Sequence, residues 1–296
     1  MPNLLDPVTS HAAKSETAIA LRTDVGHWTY SQLREKSLRY GQALRTHGIA
    51  EGERVLLLAP SAPEFVVAYM GIQAVGGVVV PVNTMSTATE IENYIADSGA
   101  RLVIGWHGLG PAGAHAASHA AIAHWSLTPG ADVTAEPLTD ALDRPGGDTA
   151  AILYTSGTTG RPKGAQLTVT NLLAAGEIGA TAWRADPADR VGTGLPLFHI
   201  FGQAAVMMAT FVSGGSLSLL ERFTPNAMIE MLDRDDLTIM AGVPTMWNAM
   251  LHAPAVRILR TSPIYGSRFR VEHLCPKASP APSKRCSAAR SSKATD

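Results

Sequence analysis

The feature that most constrains the fold is a short run of apolar residues without alternation, Val55 to Ala59, closed by Pro60 and followed by a helical pattern. Such a run is a strand buried on both faces, and a chain satisfies two buried faces by covering a parallel sheet with helices. The unit recurs. A helix is expected over residues 64–75, a break at Gly76-Gly77, and a second apolar run from Val78 to Val82. Thr87 and Glu90 stand three apart as a capping box for a helix ending near Asp97, before a strand over residues 101–106. Upstream, Leu33, Leu38, Gly41 and Leu44 share one helical face within residues 31–47, and Gly48 follows as a stop. Downstream, strands are expected at 149–155, 191–197, 216–220 and 238–243. They alternate with helices at 170–183, 202–212, 225–232 and 244–251. This alternation predicts an α/β fold with mainly parallel sheets flanked by helices.

Between His107 and Gly147 the chain turns to Ala, Gly, Pro and His with weak periodicity, and reads as a variable connection. His115 and His119 lie one helical turn apart, but no carboxylate or cysteine completes a set of ligands with them, so solvated histidines are expected.

With 46% hydrophobic and 17% charged residues, the 296-residue chain has ample material for a core. No run of about 18 apolar residues suggests a membrane span, and residues 1–7 lack the features of a signal peptide; a cytoplasmic protein is expected. The net charge of −1 conceals an asymmetry. Residues 257–296 hold nine basic and two acidic side chains, leaving 15 of the 24 basic and 23 of the 25 acidic ones in residues 1–256. An acidic body argues against nucleic acid as a partner. Both cysteines, Cys275 and Cys286, lie in the basic stretch. Its end is dominated by Ser, Ala, Pro, Lys and Arg and cannot form a core, so 257–296 reads as a disordered or out-of-frame tail behind a domain at 1–256.

The chemistry is concentrated after the expected strand 149–155. Thr155, Ser156, Gly157, Thr158, Thr159 and Gly160 run into Arg161, Pro162 and Lys163. Glycines let a backbone close on a ligand and turn its N–H groups toward phosphate oxygens; hydroxyls and the lysine add donors and charge. The spacing is not that of a Walker loop, because Pro162 stands where its second glycine would be and Gly164 follows the lysine. Strand, loop and then a helix from about Thr170 is the expected context for a phosphate site.

The stretch Tyr154 to Ala165 resembles the phosphate-loop signature of the adenylate-forming, or AMP-binding, superfamily, which includes the fatty acyl-CoA synthetases. Leu195-Pro-Leu-Phe-His-Ile-Phe-Gly202 resembles that superfamily's next motif, and Ala241-Gly-Val-Pro-Thr-Met246 a segment typical of acyl-CoA synthetases. The resemblance covers about residues 28–254. It implies an N-terminal domain of that fold, an acid–thiol ligase that joins a fatty acid to coenzyme A by way of an acyl-adenylate, and the use of ATP and Mg2+. It further implies that Thr155 to Gly160 and Lys163 hold phosphates, and that His199, Phe201, Gly202, Gly242, Val243, Pro244 and Thr245 border the acyl and nucleotide pocket. Without the resemblance, His199 reads as a buried histidine and Met207-Met208 as plain core.

Three parts of the family's machinery have no match here: a Tyr-Gly-x-Thr-Glu motif, a ribose-binding aspartate and a C-terminal lysine. The expectation is therefore an incomplete catalytic set and a chain that is weakly active or inactive. The rival readings are a non-catalytic remnant that keeps part of the nucleotide or acyl pocket, and a fatty acyl-AMP ligase or peptide-synthetase adenylation domain.

Overall fold

A computed structural model describes residues 2–130, 133–155, 162–255 and, as backbone, 270–272. Helix α1 (Asp6–Lys14) and the antiparallel pair β1 (Ile19–Thr23) and β2 (Gly26–Thr29) lead into α2 (Tyr30–Thr46). Then come β3 (Arg54–Leu58), α3 (Pro63–Ala74), β4 (Val78–Pro81), α4 (Ala88–Ser98), β5 (Leu102–Trp106), α5 (Ala112–His119) and β6 (Ala123–Leu127). Strands β7 (Thr149–Thr155) and β8 (Lys163–Thr168) precede α6 (Val169–Trp183) and β9 (Arg190–Thr193). A π-helix (Phe201–Met208) continues into α7 (Ala209–Ser213), followed by β10 (Ser216–Leu219), α8 (Pro225–Arg234), β11 (Ile239–Ala241), α9 (Pro244–Leu251) and β12 (Arg270–Glu272).

The strands form two six-stranded sheets, ordered β12-β11-β9-β10-β1-β2 and β6-β5-β3-β4-β7-β8. Every pairing is parallel except β1 with β2 and β7 with β8. Side chains alternate between layers as a pleated strand requires. In the second sheet, Val55, Leu57, Val79, Ile104 and Leu153 face a large central core. Leu56, Leu58, Val80, Val103 and Ile152 face an outer core with Ile91 and Ile95 of α4 and Ala116 and Ala117 of α5. Leu21, Val191, Leu217 and Ile239 of the first sheet share the central core, whereas Met240 packs outward with α8 and α9. The result is a stack in which α2, α3, α6 and the π-helix form a common layer between two sheets.

Most expected elements are present with ends shifted by a few residues. Three departures matter. The stretch from His107 to Gly147 contains α5 and β6, so the strand–helix alternation continues through it, β6 pairing parallel to β5. Its histidines 107, 115, 119 and 124 are exposed, and His119 Nδ1 lies 3.3 Å from Glu92 Oε2. The helix expected at 202–212 begins as a π-helix. The helix after the Gly/Thr loop does not follow it directly, because β8 intervenes and pairs antiparallel to β7, Thr155 opposite Lys163. Helix α6 begins instead at a closed capping box of Thr168 and Asn171. The basic stretch 257–296 lies outside the described residues apart from β12, which pairs parallel to β11.

Candidate active site

Thr155 and Lys163 are exposed at the mouth of the hairpin, one on each strand and in register. Ser156, Gly157, Thr158, Thr159, Gly160 and Arg161 lie outside the described residues. Just below the mouth, Tyr154 donates from its hydroxyl to Asp97 Oδ2 at 2.6 Å, and its ring lies 4.5 Å from that of Tyr94. Burial, then the Asp97 carboxylate, raises the Tyr154 phenol above its ordinary range, which keeps it a donor. The root of the hairpin is thereby tied to α4.

Strand β7 runs parallel to β4, and β4 to β3, so the loop leaves the second sheet at the same end as the segment after β3. That segment carries Ser61, which reaches across to the first sheet. Its hydroxyl donates to the Leu195 carbonyl at 3.1 Å and accepts from the Leu197 N–H at 2.9 Å. Leu195 and Leu197 follow the carboxyl end of β9. Thr193, the last residue of β9, accepts from the Leu195 N–H and donates to the Ala241 carbonyl, both at 3.0 Å, linking this segment to the end of β11. The carboxyl ends of the two sheets therefore converge, and in open α/β sheets that is where ligands bind.

Within this convergence His199 is exposed. The Phe201 N–H donates to its Nδ1 at 3.3 Å, so the neutral ring carries its proton on Nε2 and offers a donor outward. The sequence reading of His199 as buried, made without the family, is corrected: the turn that begins at Pro196 places it on the surface. Phe201 is half-buried against the central core, and Gly202 is buried where any Cβ would collide with the Pro196 carbonyl. Behind them Tyr69 donates to Gln203 Oε1 at 3.0 Å, and burial keeps its phenol protonated by raising its pKa well above the ordinary value. Met207 and Met208 are fully buried core residues, as their plain reading expects.

At the end of β11, Gly242 is buried because the Trp247 ring lies over it; a Cβ there would be 2.7 Å from ring atom Cζ2. Val243 is half-buried, while Pro244 and Thr245 are exposed at the start of α9. The sequence motifs thus supply His199, Phe201 and Gly242, but not Ser61, Thr193, Tyr69 or Gln203, which hold them. The only local signal for Ser61 is a hydroxyl residue directly after a buried strand and a proline.

A cavity of about 440 Å³ runs from the amino ends of β3, β4 and β7 to Tyr154 below the hairpin mouth, lined by residues that include Arg54, Asp97 and Arg144. It contains none of the residues around His199 or Gly242. Chemistry, not cavity size, therefore locates the candidate site.

Two parallel-dominated sheets joined at their carboxyl ends, where the strand entering the Gly/Thr loop and the His199 segment both leave, define an α/β class that takes its ligands at that edge. A family profile described as AMP-binding enzyme matches residues 8–289, running into the basic stretch. The chain belongs to this AMP-binding enzyme family. It is 32% identical over 252 residues to a feruloyl-CoA synthase of Amycolatopsis sp, covering 83% of this chain and 50% of that protein. It is 27% identical over 299 residues to a long-chain-fatty-acid–CoA ligase of Bacillus subtilis (strain 168), covering 87% and 53%. Among solved structures, ATP-bound MatB from Rhodopseudomonas palustris superposes with a TM-score of 0.76 at 29% identity over 86% of this chain and 52% of its own. The chain spans about half the length of the relatives it matches.

Proposed function

We propose that this chain is the nucleotide- and acid-binding half of an AMP-forming ligase that activates a fatty acid with ATP and passes the acyl group to coenzyme A. The reading is supported by the Ser61 link between the two sheets, since the segments bearing His199 and Gly242 and the strand that enters the Gly/Thr loop all leave their sheets at carboxyl ends. The carboxylate would attack the α-phosphate, pyrophosphate would leave, and the coenzyme A thiol would then displace AMP from the acyl-adenylate. Thr155 to Gly160 and Lys163 would hold the β- and γ-phosphates and spread their charge. His199, Phe201, Gly202, Gly242, Val243, Pro244 and Thr245 would border the acyl and nucleotide pocket. Magnesium belongs to such a displacement, but among the described residues no three of His, Cys, Asp or Glu converge to hold it, so no step here runs through it. Among the described residues no helix is long and apolar enough to cross a membrane, and a cytoplasmic location fits the proposal.

A second reading replaces the fatty acid with an aromatic acid, favoured by the likeness to a feruloyl-CoA synthase. Thermal protection of the chain by octanoate against ferulate, each with ATP present, separates the two. Protection by neither acid, with none by ATP, would overturn the ligase reading.

The 296 residues contain no match to the family's later Glu, ribose-binding Asp or C-terminal Lys motifs. Carboxylate-dependent exchange of labelled pyrophosphate into ATP is therefore expected at background in both the parent and Lys163→Ala. Exchange in the parent that Lys163→Ala abolishes would show that the chain is a working adenylating enzyme.

A further inference from the structure

Ser61 belongs to none of the three motif-bearing segments, yet its side chain joins two of the structure's principal parts. It is 4% exposed, and the backbone it grips lies 134 and 136 residues away in sequence. After β9 the chain leaves its sheet, and Pro196 has no N–H with which to continue a ladder. The buried polar groups there need other partners. Thr193 takes the Leu195 N–H, Ser61 takes the Leu195 carbonyl and the Leu197 N–H, and Gln203 Nε2 donates to the Leu197 carbonyl at 3.4 Å. Thr193 grips from the same sheet as the segment; Ser61 grips from the opposite one.

We infer that Ser61 is a positioning residue that sets the placement of the His199 and Phe201 side chains by joining the carboxyl ends of the two sheets. Calling that segment a wall of the acyl site rests on the function proposed above. The path from Ser61 to the imidazole is short and hydrogen-bonded at each stage. Leu197, held at its N–H, is fully buried and anchors the segment. The His199 N–H then donates to the Pro196 carbonyl at 3.1 Å, closing a tight turn, and the Phe201 N–H fixes Nδ1. Gly202 packs on the same Pro196 carbonyl, so the turn cannot slide without the π-helix following it. A hydroxyl that serves only to satisfy buried backbone would, when removed, cost stability alone. One that positions the segment would also displace the imidazole.

The test uses the full chain labelled at histidine, with the His199 imidazole resonances identified by their loss in His199→Gln. Ser61→Ala should shift the His199 resonances while leaving those of His11 and His119 in place, and Ser61→Thr, which keeps the hydroxyl, should restore the parent positions. Octanoate binding should weaken roughly tenfold in Ser61→Ala, the loss expected for one displaced hydrogen-bonded segment. A lowered melting temperature with His199 unmoved and octanoate affinity unchanged would reduce Ser61 to a structural residue and overturn the inference. If Ser61→Ala does not fold, Ser61→Cys gives a second measurement: its thiol fills the site but is only a weak donor and acceptor, and a His199 resonance that stays in place overturns the inference equally. If the parent binds no octanoate, the proposed function falls, while the His199 shift still decides the role of Ser61.

Discussion

Single atoms decide much of the site. Gly202 is a glycine because the Pro196 carbonyl occupies the space a Cβ would need, with backbone on both sides and no flexible side chain to yield. Gly202→Ala should destabilise the chain by about 1–3 kcal/mol through overpacking, read as a lower urea midpoint with an unchanged m-value. An unchanged midpoint would mean that the turn has room to shift. Gly242 is similar in kind but softer, because its neighbour is the ring of Trp247, a side chain that can move. These glycines stand out in the sequence as motif letters, but the need for them does not. Pro196 and Gly202 are six residues apart, and only the return of the π-helix brings them together. Arg144 carries the same lesson away from the site. It is 1% exposed and donates to the Gly77 and Thr149 carbonyls at 3.1 and 2.6 Å, while its Nε has no hydrogen bond and lies 3.9 Å from Asp148 Oδ2. Its only local cue is Asp148 four residues on, which does not foretell burial.

Elements whose signals are local were legible. Helix α4 is bounded by Thr87, whose hydroxyl accepts from the Glu90 N–H while the Glu90 side chain accepts from the Thr87 N–H, and by Gly99 in a left-handed conformation at φ 65°. Thr87→Ala should cost about 0.5–2 kcal/mol, with hydrogen exchange quickening in the first turn of α4 and unchanged in α3. Equal quickening in both helices would show global unfolding instead. Strand β8 was not legible. Lys163, Gly164, Ala165 and Gln166 are all exposed and carry neither β-branched residues nor an alternating pattern, so they become a strand by pairing with β7. Strand β6 has the same character, since four of its five residues are exposed or half-exposed and its order comes from β5. The π-helix also escapes a pattern reading, because its extra residue per turn is accommodated by α6, whose Gly176 and Gly179 let Met208 and Ala209 approach closely.

At the scale of the whole molecule, the exposed β8 edge shapes behaviour in solution. Among the described residues no strand pairs beyond β8, and its exposed run holds one charge, Lys163. Such an edge is a template for pairing with another chain. Gln166→Lys should reduce concentration-dependent light scattering without changing the melting temperature, whereas unchanged scattering would place self-association elsewhere. The sequence by itself determined the α/β class and the capping box of α4, and it singled out the candidate phosphate-loop and pocket segments, because apolar runs, capping pairs and glycine-rich loops act over a few residues. It placed His199 and Gly242 in candidate segments without showing what holds them. Only the tertiary structure decided that a strand, β8, follows the Gly/Thr segment where a helix was expected, and that Ser61 grips backbone more than 130 residues away in sequence. The physical reason is range. Strand pairing and buried hydroxyl–backbone bonds are contacts between distant parts of the chain, and no local pattern records which parts will meet.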